Sequence, residues 1–188
     1  MKILKNVFTI WIIIIFLVTF TCMLTYLVTQ QVIRVGANEQ PAQLAAETSI
    51  NLESGQDAKD AIPPKITDIT KSLNTFVMIY DKDKKLIAYS GMMGKSELVY
   101  PKGVLENLDM VGEESVTWQP QAGLRFATVA LKTDNNYIVA AQSLFEREKL
   151  VDVIGKLILA TWLACFIFSS VVMVIIYFFI KKYLKQKP

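Results

Sequence analysis

The chain has 188 residues, 53% of them hydrophobic, a formal net charge of +3 and no histidine. Without imidazole, histidine phosphotransfer, a His-containing hydrolase triad and an imidazole metal site are excluded. Both cysteines, Cys22 and Cys165, fall inside long apolar runs, so the polar middle has no thiol or disulfide, and no Gly-rich phosphate loop is visible.

Residues 1–6 form a short tail carrying Lys2 and Lys5. Residues 7–28 contain no Asp, Glu, Lys or Arg, and as a helix that length crosses a hydrocarbon core of about 30 Å. The run exceeds the roughly 7 to 15 residues of a secretory h-region and closes on no small-x-small cleavage pattern, so it reads as a retained signal anchor. A second uncharged run, 157–180, precedes the basic tail 181–188 with Lys181, Lys182, Lys185 and Lys187. The positive-inside rule then predicts a two-span protein of the cell membrane with both termini cytoplasmic and 29–156 outside. All 17 Asp and Glu lie in that middle segment, so the tail lysines point to anionic lipid headgroups as partner, not nucleic acid.

The segment 29–156 is long enough for one domain with its own core. From Thr29 an amphipathic helix is expected to continue the first span through Val32, Val35, Ala42, Ala45, Ala46 and Leu52. Pro41 would kink or interrupt it, and Ser54-Gly55-Gln56 would stop it. A shorter helix is expected between Pro64 and Ser72. Beyond Asn74 the period changes to two: strands 75–81 and 84–90 form a hairpin through Lys82-Asp83. Residues 91–112 read as loops with one helix at 101–108. Strands at 115–118, 124–132 and 137–143 follow, joined by 119–123 and 133–136. A last helix runs from Phe145 into the second span. Its seven-residue repeats (Leu144, Val151, Ile158; Leu150, Leu157) offer a seam for a homodimer through juxtamembrane helices, or for packing on the first helix of the same domain.

The fold class is therefore α+β: an antiparallel sheet of about five strands and a long N-terminal helix, flanked by two transmembrane helices. The run Phe76 to Gly91 (FVMIYDKDKKLIAYSG) has an apolar strand, an Asp-rich turn and a second strand ending in Ser-Gly. With Thr117-Trp118, the strands ending at Ala141-Gln142-Ser143-Leu144 and the helix entering a span, the segment resembles the extracytoplasmic PAS-like or single-Cache sensor domains of bacterial membrane receptors. The resemblance implies a small-molecule pocket between the concave sheet face and the crossing segment, and a closing helix that passes a signal onward. Only residues 181–188 follow Ile180, so the expected report is through a membrane kinase or receptor partner, or through oligomeric state.

Strand alternation puts Arg125 on one side with Ala127, Val129 and Leu131, a cation on a largely apolar face. Its partner is the carboxylate of a bound organic acid or an internal one, Asp81 or Glu114, unless the cation sits at an edge position facing water. Trp118, Tyr80 and Gln142 are candidates to line the same cavity, or else ordinary core and edge positions. Met92 and Met93 are either a flexible lid or core plugs. Of the acid pairs, Asp81/Asp83 sits among Lys82, Lys84 and Lys85, which oppose a bound cation, and Glu113/Glu114 and Glu146/Glu148 lack calcium-loop spacing, so no metal is expected. In the spans, Thr9, Thr19, Thr21, Thr25, Thr161, Ser169 and Ser170 are candidates for interhelical hydrogen bonds. No nucleophile-and-base set supports an enzyme, and no cofactor is expected. The sequence thus reads as a two-span sensor-like protein binding a small ligand or partner ectodomain. The alternative is a structural or interaction protein of the cell envelope without a pocket.

Overall fold

In the computed structural model, which describes residues 2–94 and 98–185, helix α1 (Lys2–Gly36) carries the first apolar run and then breaks at Ala37 and Asn38. The cause is Pro41: it has no N–H for the carbonyl of Ala37, and its ring crowds that carbonyl. The chain resumes as α2 (Glu39–Glu53), whose first turn tolerates the proline. It stops at Ser54 and Gly55, the latter at φ 90°. The interruption expected at Pro41 thus falls a turn earlier, at Ala37 and Asn38.

The helix expected between Pro64 and Ser72 does not form. Asp68 Oδ1 accepts hydrogen bonds from the Thr70 amide (3.0 Å) and hydroxyl (2.7 Å), a local pairing that competes with a helical ladder. Instead β1 (Thr67–Asp68) pairs in parallel with a short strand further along the chain.

β2 (Phe76–Tyr80) and β3 (Leu86–Tyr89) form the expected hairpin. Asp81 Oδ1 accepts the amides of Asp83 (2.9 Å) and Lys85 (2.8 Å), and Lys84 closes the turn at φ 58°. β4 (Gly91–Met92) is the partner of β1, and α3 (Lys102–Val111) is the short helix of the crossing segment. β5 (Glu113–Gln121) is longer than expected. It runs through Pro120 by way of an irregularity between Trp118 and Gln121, which an edge strand tolerates. β6 (Leu124–Lys132), β7 (Tyr137–Ser143) and α4 (Phe145–Lys185) complete the chain.

The five long strands form one antiparallel sheet in the order β3-β2-β7-β6-β5. Both faces are covered. On one, Val77, Ile138 and Ala140 pack against Ala45 of α2, with Leu44, Leu52 and Leu131 around them. On the other, Phe76, Met78, Phe126, Ala130 and Val139 pack under Ile69, Leu98, Tyr100, Leu105 and Leu108. This two-sided burial is why β2 is apolar at every position. At its edge the Ser90 hydroxyl accepts the buried Val77 amide (3.0 Å), and Gly91 leaves space for the Phe76 ring.

The chain divides into two compact units, Ile33–Lys149 and the helical unit Met1–Val32 with Leu150–Pro188. In the helical unit the α1 and α4 segments are antiparallel. Trp11 meets Phe166 (ring centroids 6.0 Å), Trp162 Nε1 donates to Thr19 Oγ1 (2.9 Å), and Gly155 faces the ring of Tyr26. Among the described residues, Thr19 is the one candidate interhelical hydroxyl that bonds across. Thr9, Thr21, Thr161, Ser169 and Ser170 donate to carbonyls of their own helix. Cys22 and Cys165 are both free. Both helices are long and apolar enough to cross a membrane, and none of either apolar window is buried within the protein.

Candidate functional site

The four residues that sequence reasoning grouped do not share a cavity. Trp118 pairs with Phe126 across the β5–β6 ladder, and both join the core under Tyr100 and α3. Arg125, one residue away, belongs to the opposite face. Trp118 is enclosed by Tyr100 (5.4 Å between centroids, edge-on) and Phe126 (5.9 Å). Tyr80 lies in the same core with its hydroxyl against the Met78 sulfur, and burial pushes its phenol up to about 12. Tyr100, also raised by burial, shares a hydrogen bond with Thr128 (2.9 Å). These phenols stay neutral at ordinary pH and their polar tips are already engaged. Met93 packs against this core as a plug. Gln142 lies on the α2 side and donates to Gln40 Oε1 at the start of α2.

Arg125 finds an internal carboxylate, but neither of the two expected. Asp81 is consumed in the β2–β3 turn, and Glu114 accepts from Asn107 (2.9 Å). The partner is Glu148, in the first turns of α4. α4 starts beside β6 because the Leu144 amide bonds the Arg125 carbonyl (2.8 Å), which brings Glu148 within reach of the guanidinium. The pair opens onto a cleft of about 370 Å³ between residues 69–73, the β5–β6 turn and the start of α4. Arg125 and Glu148 remain 42% and 47% exposed, so their pairing is weak and exchangeable.

A second polar cluster was not foreseen. Asp109 on α3 accepts from Lys84 Nζ (2.8 Å), Lys132 Nζ (2.9 Å) and the Tyr137 hydroxyl, clamping α3 to the β2–β3 turn, the end of β6 and the start of β7. The hydrogen bond from Lys84, then those from Tyr137 and Lys132, hold the Asp109 carboxyl far below the usual carboxylate range. Asp109 in turn raises both lysines and the Tyr137 phenol. A carboxyl depressed in the folded state contributes stability that is present above its unfolded pKa of about 4 and is lost as pH falls toward its folded value. Asp109→Asn is therefore expected to flatten the acid limb of the stability curve. Urea midpoints measured from pH 5 down to pH 2 should fall less for the variant than for the wild type.

No family model, curated protein or solved structure matches the chain. Its chemistry rests on its own side chains.

The helical unit carries a separate groove of about 570 Å³, lined by Thr19, Met23, Tyr26, Val151, Ile158 and Trp162 among others. Val151 and Ile158 of the seven-residue seam thus line the groove beside α1, whereas Leu150 and Leu157 point outward, 45% and 62% exposed.

Proposed function

We propose that the chain is a membrane-anchored, sensor-like protein. In this reading α1 and α4 cross the membrane, both termini are cytoplasmic, and the sheet domain lies outside. The domain reports through a separate membrane kinase or receptor, or through a second copy. The observation that carries the proposal is α4: it begins two residues after β7 and continues as one helix through the second apolar run. In this reading a shift at the end of the sheet would pass along that helix toward the span. Unburied apolar windows support the spans, because such surface is costly in water, and the flanking lysines support the orientation. The antiparallel sheet with α2 on one face and the crossing segment and α3 on the other supports the PAS-like resemblance. We assign no catalytic activity and no cofactor.

One observation favours the second reading, an envelope interaction protein without a pocket: Tyr100, Trp118 and Phe126 fill the face where the resemblance implies a ligand. Purifying the tagged full-length protein from its native membrane in mild detergent and identifying co-purifying proteins separates the two. The sensor reading expects a membrane kinase or receptor at reproducible stoichiometry. Recovery with envelope structural proteins alone would support the second.

A further inference from the structure

The geometry points to the cleft at the start of α4 as a binding site for a small organic carboxylate with an apolar body, which takes Arg125 from Glu148. The inference rests on the sensor reading and deepens it. It places the ligand away from the filled concave face, at the base of the helix that would carry the signal.

The cleft has the donors an oxyanion needs. Arg125 offers a planar fork suited to a carboxylate, and the Lys71 ammonium, 82% exposed, holds Asp68 only at 3.9 Å. Ser72 Oγ accepts from the Asn74 amide (3.1 Å) and Ser143 Oγ from the Phe145 amide (3.3 Å). Each hydroxyl uses one lone pair there, and among the described residues neither donates its proton, so both can donate to a ligand. Beside these donors stand Ile69, Leu73, Leu124 and Phe145. Leu73 and Phe145 are 43% and 60% exposed, apolar surface that a bound hydrocarbon group would cover.

Two carboxylates oppose this binding. Glu146 lines the cleft and repels an anion, and Glu148 already occupies Arg125. Neither settles the balance: the Arg125–Glu148 pair is half-exposed, and pairs of that kind are held weakly. Displacement has a structural result, because Glu148 is the tie between the β6 side chain and the first turns of α4. A ligand that takes Arg125 removes that side-chain tie and leaves the Leu144 amide on the Arg125 carbonyl as the hold on the start of α4. The occupied cleft would thus differ from the empty one at the point where α4 leaves the domain.

The test uses full-length protein in lipid nanodiscs, titrated with benzoate and, as a control without the charge, benzyl alcohol. Binding is followed by calorimetry and ligand-observed NMR. Saturable binding of benzoate over benzyl alcohol is expected. Arg125→Gln should weaken it by about tenfold or more, the loss of a charge-assisted contact. Glu148→Gln should tighten it by removing the internal competitor, a gain that a merely structural role for Glu148 would not produce. No saturable binding, equal binding by Arg125→Gln, or weaker binding by folded Glu148→Gln would overturn the site. A partner still recovered from the membrane in that case would leave the sensor reading standing, whereas recovery with envelope structural proteins alone would remove it whatever benzoate does.

Discussion

Gly91→Val is expected to destabilise the sheet domain severely. A Cβ at position 91 would lie 2.7 Å from Cγ of the Phe76 ring, far inside contact distance. The ring has little room to yield: Phe76 is fully buried and stands edge-on to Phe126 at 5.5 Å. Overpacking of this kind costs about 1–3 kcal/mol and sometimes more, and valine adds two methyl groups to the clash. Against a typical domain stability of about 5–15 kcal/mol, that is a large fraction. Pulse proteolysis in urea on the whole chain reports the sheet domain without interference from the detergent-held helices. It should show a clearly lower midpoint for Gly91→Val and a smaller drop for Gly91→Ala. An unchanged midpoint would mean that the Phe76 ring does not fill this space.

Trp118→Ala is expected to lower the same midpoint by an amount equivalent to about 3–5 kcal/mol, the usual result of truncating a buried large aromatic. Trp118 is only 6% exposed and sits between Tyr100 and Phe126. Trp118→Phe should recover much of the loss, since it restores the ring contacts. This variant decides the role of the residue that sequence reasoning placed at a ligand site. A wall residue of an open pocket would tolerate alanine with little loss of stability, whereas a keystone of the core would not.

Several elements were legible in the sequence because one local signal sufficed. The two apolar runs, the bounds of β6 and β7, and the Asp-rich β2–β3 turn follow from hydropathy, alternation and turn chemistry. The start of β5 was obscured by its two glutamates, and its end by Pro120, which an edge strand accommodates but composition reads as loop. The β1–β4 pairing is parallel and joins residues far apart in the chain, so no local pattern announces it.

The candidate site was less legible for a related reason. Alternation correctly separated the two sides of β6, but whether Trp118 shares a face with Arg125 depends on the register between β5 and β6. That register pairs Trp118 with Phe126, which sets it opposite. Arg125 was rightly read as a cation in need of a carboxylate. Its partner Glu148, 23 residues away, is set by where α4 docks. Asp109 escaped notice because Lys84, Lys132 and Tyr137 reach it from a turn and two strand ends, and only the tertiary fold gathers them.

The central claim, an exported domain held by two spans, is tested most directly by cysteine labelling. In a Cys22→Ser, Cys165→Ser background, single cysteines at Asp134→Cys, in the exposed β6–β7 turn, and at Gln186→Cys, in the basic tail, would be treated with a membrane-impermeant maleimide. The account predicts that position 134 is labelled in intact cells and position 186 only after the membrane is permeabilised. Labelling of position 186 in intact cells, or protection of position 134 until lysis, would contradict it.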